Sequence, residues 1–237
     1  MILSQHKNIG EKKMTLKKYL IIICLCISCV KTGHALETNV MISNLTGTSF
    51  TVSWVSKNEC SGQLLLYDIN MNLLNTLSDD RGINFSGDTH YITAKGLKSN
   101  ASYFFSTLSG NQINDNEGQM YSVHTGDNLI PVGSLQPAGQ VLLCNGNRYA
   151  TNAIVYIQIS NGLDQSAPLS TIVDNNGYWF VELVNARDQN NQGLFRVSEG
   201  NTLSIDVQGG QMGKASLELS AMDNKGGMVL NKPIILR

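Results

Sequence analysis

The segment Phe50-Thr51-Val52-Ser53-Trp54-Val55 alternates apolar and polar side chains, and this alternation decides the fold class. Successive side chains of a β-strand point to opposite faces, so Val52 and Trp54 share one face and their polar neighbours lie on the other. Similar short segments recur along the chain, and no helical period is sustained after residue 35. The sequence therefore predicts an all-β protein.

Six strand-like segments lie before residue 126, and turn-forming residues separate them. Alternation at this spacing is typical of two antiparallel sheets packed as a sandwich. The predicted strands of this region are residues 40–44, 50–55, 63–68, 90–94, 102–108 and 121–125.

Residues 36–126 resemble a fibronectin type III domain. The resemblance is carried by Trp54 in the second strand, Tyr67 in the third, the segment 97–103 that ends in Tyr103, and the closing residues 121–126. In that family the Trp packs in the core, and a Leu and a Tyr near the penultimate turn form a tyrosine corner. The resemblance thus implies structural roles for these residues, in a variant similar to those of bacterial surface proteins.

The remainder of the chain predicts a second sandwich. Asp174-Asn175-Asn176-Gly177 is a strong hairpin turn, because Asn and Gly tolerate positive φ. The order of strands around it resembles a carboxypeptidase regulatory-like domain, a transthyretin-like or immunoglobulin-like sandwich, although the Asn- and Gln-rich segment 185–193 departs from that pattern. The predicted strands are residues 139–144, 153–159, 169–173, 178–184, 202–208 and 215–221.

The first 35 residues are typical of a bacterial secretion signal. Four lysines (Lys12, Lys13, Lys17 and Lys18) precede an apolar run from Tyr19 to Val30, and Gly33-His34-Ala35 offers small residues for cleavage. A transmembrane anchor and a lipoprotein signal at Ser28-Cys29 are the alternatives, but about a dozen apolar residues are few for a bilayer. We expect a signal peptide at 1–35, a fibronectin type III-like domain at 36–126 and a second sandwich domain at 127–237.

Charge disfavours two classes of partner. Six of the 17 Lys and Arg residues and one of the 18 Asp and Glu residues lie before residue 36, which leaves 11 basic against 17 acidic residues and a net charge of −6. Nucleic acid and anionic membranes both require a basic surface. We therefore expect no nucleic-acid partner and no stable membrane insertion after cleavage of the signal.

Two of the five cysteines, Cys60 and Cys144, lie outside the predicted signal. Cys60 follows the second strand, and the resemblance to fibronectin type III domains implies that this loop lies at the pole opposite to the one where the next domain attaches. Six-residue strands place these poles about 20 Å apart, whereas a disulfide needs α-carbons within about 7 Å. A bond between them would require the domains to fold back. The alternatives are free thiols or bonds to other chains, and we predict free thiols.

The segment Gly87-Asp88-Thr89-His90, preceded by Asp79-Asp80-Arg81-Gly82, contains the residue types with which metallophosphatases hold two metal ions. Here the motifs occur in reversed order, and only His90 and His124 lie beyond the signal, which is too few ligands for such a site. His90 also begins a predicted strand. We therefore interpret both motifs as structural.

No other motif predicts catalysis. The sequence contains no Gly-x-Ser-x-Gly, no glycine-rich phosphate loop and no nucleotide-binding strand-turn-helix. A pair of glycosidase carboxylates cannot be recognised by motif, but small sandwiches offer no obvious deep cleft. We predict that the protein is not an enzyme and that it has no catalytic, cofactor-binding or metal-binding residues.

Two oxygen-rich clusters are candidates for calcium, Asp174-Asn175-Asn176 and Asp115-Asn116-Glu117. Neither has the alternating ligand spacing of a dedicated calcium loop, so we interpret them as turns. Aromatic side chains outside the core could instead form a carbohydrate platform. The candidates are Tyr149, Tyr156, Tyr178 and Trp179, of which Trp179 is predicted to lie in the core.

An export signal, two sandwich patterns and the lack of a recognisable catalytic motif predict a noncatalytic adhesion or scaffolding protein that is secreted, periplasmic or on the cell surface. Other surface or extracellular proteins are the expected partners, glycans are further candidates, and exposed strand edges allow self-association. The alternative function is an accessory carbohydrate-binding module that acts beside a separate enzyme.

Overall fold

A computed structural model describes residues 38–221 and 228–237, so the predicted signal at 1–35 lies outside the described residues. Within this part the chain forms strands and two single-turn 3-10 helices, Leu183–Asn185 and Gly210–Met212, which confirms the all-β prediction. None of the described helices is long and apolar enough to cross a bilayer. The strands are β1 (Thr38–Ser43), β2 (Ser49–Cys60), β3 (Gly62–Tyr67), β4 (Leu73–Ser78), β5 (Gly87–Lys95), β6 (Ser102–Ser109), β7 (Gln112–Asn114), β8 (Tyr121–His124), β9 (Ala138–Leu142), β10 (Ile154–Ser160), β11 (Leu169–Ile172), β12 (Tyr178–Phe180), β13 (Thr202–Gln208), β14 (Lys214–Ser220) and β15 (Ile234–Ile235).

The first half is a sandwich of two antiparallel sheets. One has the order β1-β2-β5, and the other has the order β4-β3-β6 with β7 and β8 both paired to β6. The alternating residues of β2 point between the sheets, so that Phe50 and Trp54 are fully buried there. This core also contains Val52, Leu64, Leu66, Ile92, Ala94, Tyr103, Phe105 and Val123.

The second half pairs a four-stranded sheet, β11-β10-β13-β14, with a three-stranded sheet, β12-β9-β15. All neighbouring strands are antiparallel except β15, which runs parallel to β9. Trp179 lies in the core between the sheets, together with alternate residues of β10 and β13. β12 is shorter than the predicted strand 178–184, because Leu183–Asn185 form a 3-10 turn that buries Leu183.

The two halves have separate hydrophobic cores, yet their described residues belong to one compact unit. The side of the β1-β2-β5 sheet that faces away from its own core carries Ser53 and Tyr91, and both are buried. On β10, Ile154 is fully buried outside the second core, on the same strand face as Tyr156. The Tyr156 hydroxyl lies 2.7 Å from Ser53 Oγ, so these two sheet faces pack against each other. We call this contact the seam.

Candidate binding surfaces

The Asp79-Asp80-Arg81-Gly82 motif forms a clamp at the seam. The Arg81 guanidinium donates to both Asp79 carboxylate oxygens, at 2.7 and 2.8 Å. Its Nη1 also donates to Thr89 Oγ1 at 3.0 Å and to the Asn152 carbonyl of the second half at 3.3 Å. The ring of Phe85 lies 3.7 Å below the guanidinium carbon. The motif therefore joins the two halves.

The second motif is divided between the core and the seam. Asp88 Oδ2 accepts a 2.6 Å hydrogen bond from the backbone N–H of Gln211, in the second half. His90 is fully buried, with its ring centroid 4.8 Å from that of Trp54 and its Nε2 3.0 Å from Ser56 Oγ. Among residues 38–221 and 228–237, no group of three or more His, Cys, Asp or Glu side chains could hold a metal ion.

His124, the other histidine beyond the predicted signal, lies on β8, where its Nδ1 is 3.0 Å from Ser102 Oγ. Neither this side chain nor His90 is part of a potential metal cluster in the described part of the chain. The two motifs therefore meet through the hydrogen bond from Arg81 to Thr89, and Arg81 and Asp88 also bond to the second half, whereas His90 lies in the first core and His124 on β8.

The centre of the seam is a network of hydroxyl and amide groups. Asn44 donates from Nδ2 to Tyr91 Oη at 2.9 Å and accepts from the backbone N–H of Ser170 at 2.9 Å. Tyr91 Oη in turn donates to the Ser170 carbonyl at 3.0 Å, and the hydroxyls of Ser43 and Ser170 lie 2.7 Å apart. These bonds satisfy polar groups that the contact removes from water, which would otherwise destabilise the seam.

Burial at the seam changes the acidity of its tyrosines. Desolvation raises the pKa of Tyr91, and it raises the pKa of Tyr156 to about 12, although the hydrogen bond with Ser53 acts in the opposite direction. In both cases the neutral phenol is favoured because the phenolate would be buried.

The seam should weaken in alkali. A phenol with a raised folded-state pKa contributes stability that is fully present below pH 10 and is lost as pH rises through about 12. For Tyr156 the loss is about 2–3 kcal/mol at most. Urea unfolding at pH 9, 10.5 and 11.5 should show a smaller decline for Tyr156→Phe than for the unsubstituted protein. Equal slopes would contradict a buried neutral phenol.

The two oxygen-rich clusters are hydrogen-bonded as turns. Asp174 Oδ1 accepts from the backbone N–H groups of Asn176 and Tyr178, both at 2.8 Å. Asp115 Oδ1 accepts from the N–H of Gly118 at 3.0 Å. Side-chain oxygens used in this way stabilise the local backbone, which agrees with the interpretation of both clusters as turns.

Cys60 and Cys144 are not bonded to each other. Cys60 ends β2 and is partly buried, with its Sγ 3.7 Å from His90 Nε2, whereas Cys144 is exposed. The two halves lie side by side, although the sequence predicted that the second domain attaches at the far pole of the first. Even in this arrangement the two cysteines do not form a disulfide.

The candidate aromatic residues separate into buried and exposed groups. Trp179 is only 2% exposed and lies in the second core, as predicted, and Tyr156 lies in the seam. Tyr149 and Tyr178 are 49% and 56% exposed. Phe180, which the sequence did not suggest, is 61% exposed. The sequence could have identified Phe180 as an exposed aromatic residue, because residues i and i+2 of a strand share a face and Tyr178 was already a candidate.

β4 is an edge strand that the sequence analysis did not predict. Among the described strands it lies at the end of its sheet and pairs with β3 only. Leu73 and Leu74 are more than half exposed, as are Ile69 and Val132 elsewhere on the surface. The strand carries no charged residue, whereas the edge strand β14 of the second half carries Lys214 and Glu218. Charged side chains are a common protection against edge-to-edge pairing, and β4 lacks it.

No protein-family model matches this chain, and no curated protein matches it. Among solved structures it is similar to PhoD, with 12% identity over 48% of this chain and 23% of that one (TM-score 0.29). It is also similar to the FN1-FN3 domains of chicken CNTN1, with 8% identity over 85% and 66% of the two chains (TM-score 0.29). A two-domain fibronectin type III segment of chicken tenascin is 11% identical over 78% and 99% (TM-score 0.28).

This chain spans about a quarter of the PhoD structure and about two thirds of the CNTN1 fragment. Similarity at this level does not identify the fold by itself. The class of the protein follows from its own strand order and cores, which define an all-β protein built from packed antiparallel sheets.

Proposed function

We propose that this chain is an exported, noncatalytic adhesion or scaffolding protein of the bacterial cell surface or extracellular space, built from a fibronectin type III-like and a transthyretin-like or immunoglobulin-like sandwich. The predicted secretion signal supports export. The seam supports a scaffolding role, because the Arg81 clamp and the Asn44–Tyr91–Ser170 network hold the two halves in a fixed relation. A rigid pair of sandwiches presents its loops and edges in a defined arrangement.

The uncharged edge strand β4 is the observation that carries the proposal. Its backbone groups on the side away from β3 are available to an added strand, and strand addition is a common mode of protein recognition. Exposed Leu73 and Leu74, with Ile69 and Met71 just before them, provide apolar contacts for the incoming segment. The partner is then an extended segment of another surface protein, or β4 of a second copy. Because residues 36–237 carry a net charge of −6, we expect the segment of another protein to contain few acidic residues.

Charges introduced on β4 should abolish this binding. Leu74 and Thr76 are both exposed on β4, so Leu74→Lys with Thr76→Lys adds two charges without entering the core. In pull-downs of envelope and secreted proteins with residues 36–237, we expect at least a tenfold loss of the captured partner. Light scattering of the purified protein reports self-association in parallel.

The matched control is Ser220→Lys on β14, an edge strand that already carries charge. It should leave the captured amount unchanged. Equal capture by the β4 variant and by this control, together with an unchanged oligomeric state, would contradict strand addition at β4.

An accessory carbohydrate-binding module is the second candidate function, and the exposed aromatic side chains of Tyr149, Tyr178 and Phe180 favour it. A glycan array probed with residues 36–237 separates the two candidates. Saturable glycan binding would favour the module, and pull-downs that yield only protein partners would favour the scaffold.

A further inference from the structure

Three exposed aromatic residues form a straight row on the outer face of the β12-β9-β15 sheet. Phe180 lies opposite Ala138 of β9, Tyr178 lies opposite Gln140, and Tyr149 lies opposite Leu142. Residues directly opposite each other in an antiparallel pair point to the same face. Ala138, Gln140 and Leu142 alternate along β9 with the buried Gly139 and Val141, so they and their partners point away from the core.

The register of β9 fixes the spacing of the row. Each aromatic residue is opposite a β9 residue two positions from the next, and two residues of an antiparallel strand span about 6.8 Å. Three side chains therefore extend over about 14 Å in a line. We call Phe180, Tyr178 and Tyr149 the aromatic row.

Gly177 is the residue that allows Tyr149 to complete the row. Its backbone has φ of +79°, and a Cβ at this position would lie 2.7 Å from Tyr149 Cδ1 and 3.1 Å from the Val141 carbonyl oxygen. The Tyr149 ring thus lies directly over the end of the hairpin turn, next to Tyr178. Trp179, between the two exposed residues of β12, points into the core and keeps the strand in place.

We infer that the aromatic row binds a neutral, extended oligosaccharide, which deepens the second candidate function above. The faces of pyranose rings carry C–H groups, and these pack on the negative faces of aromatic rings. A linear set of rings at regular spacing suits a ligand made of repeated flat units. Gln140 places a side-chain amide beside Tyr178. Its Nε2 donates to the Asn176 carbonyl at 3.1 Å, and its Oε1 can accept a hydrogen bond from a sugar hydroxyl.

The net charge of the chain and the position of the row favour a sugar over the other ligands that stack on aromatic rings. Single-stranded nucleic acids need a positively charged groove along the bases, whereas residues 36–237 carry 17 acidic and 11 basic residues. Proline-rich peptides dock in grooves lined by several aromatic side chains, whereas the cavity that Phe180 lines contains no other aromatic residue. A neutral glycan requires neither a positive surface nor a groove.

Isothermal titration calorimetry of residues 36–237 with cellohexaose, xylohexaose, mannohexaose and maltohexaose tests the inference. We expect saturable binding of at least one hexasaccharide, and binding at least tenfold weaker for the disaccharide of the same sugar, because a disaccharide cannot span the row. Tyr178→Ala and Phe180→Ala should each weaken binding about tenfold. Leu163→Ala, at a residue that is 94% exposed elsewhere, is the matched control and should change nothing.

The β4 variant with Leu74→Lys and Thr76→Lys should bind the hexasaccharide normally, so failure of strand addition and failure of glycan binding give different results. The inference is overturned if no hexasaccharide binds, or if binding is unaffected by Tyr178→Ala and Phe180→Ala. A decaproline peptide or oligo-dT that binds in place of the sugars, and is lost in the same two variants, would also overturn it.

Discussion

Arg81→Met should lower the free energy of unfolding by about 3–5 kcal/mol. The substitution keeps most of the apolar stem of Arg81 but removes the guanidinium that lies against Asp79. The Asp79 side chain is only 1% exposed, so its carboxylate would remain buried without its cation. The same change removes the hydrogen bond from Arg81 Nη1 to the Asn152 carbonyl, which joins the two halves.

Urea unfolding followed by tryptophan fluorescence measures this loss. Arg148→Met, at an exposed arginine, is the matched control and should stay within about 0.5 kcal/mol of the unsubstituted protein. Adding Asp79→Asn to Arg81→Met should restore part of the lost stability, because no buried charge then remains. If Arg81→Met behaves like the control, the Asp79–Arg81 pair is not a buried clamp.

Strand positions could be predicted from the sequence where a strand has one buried face. The predicted segment 153–159 corresponds to β10 at Ile154–Ser160, and 202–208 corresponds to β13 without any shift. In both, apolar residues alternate because every second side chain enters the core. β13 shows this directly, with buried Leu203, Ile205 and Val207.

The strands that sequence reasoning missed are those that depend on a partner strand. β4 begins with Leu73-Leu74 and has no alternation, because most of its side chains are exposed on both faces. It is extended because it pairs with β3. β15 has only two residues and pairs with β9, more than 90 positions earlier in the chain. Contacts over such separations leave no local pattern.

The seam could not be predicted from the sequence for a different reason. Thr51 and Ser53 have the composition of a solvent-facing strand surface, and the alternation of β2 correctly placed them away from the first core. Nothing in a single strand shows whether its polar face meets water or a second polar face. Hydroxyl groups that bond across the seam satisfy each other as water would. The hydrogen bond from Arg81 to the Asn152 carbonyl could likewise not be predicted from the sequence, because it depends on the packing of the halves.

The seam predicts that the two halves unfold together. Each half contains one of the two tryptophans of the chain, Trp54 in the first core and Trp179 in the second. Trp179→Phe therefore leaves a fluorescence reporter for the first half, and Trp54→Phe leaves one for the second. In urea, the transitions of each single-tryptophan protein followed by fluorescence and by circular dichroism should coincide, because a cooperative unit unfolds in one step.

Ile154→Asp should destroy this cooperativity. Ile154 is fully buried at the seam, and a carboxylate there loses both its hydration and the apolar contact, at a cost of about 4 kcal/mol or more. Because Ile154 lies outside the second core, the damage falls on the contact between halves, and we expect the fluorescence and circular dichroism transitions to separate. Ile154→Val, the matched control, keeps the surface apolar, should cost about 0.5–1.5 kcal/mol and should leave the transitions coincident. The seam does not couple the two sandwiches if the transitions of the single-tryptophan proteins already differ with Ile154 in place. The same conclusion follows if the transitions still coincide in Ile154→Asp.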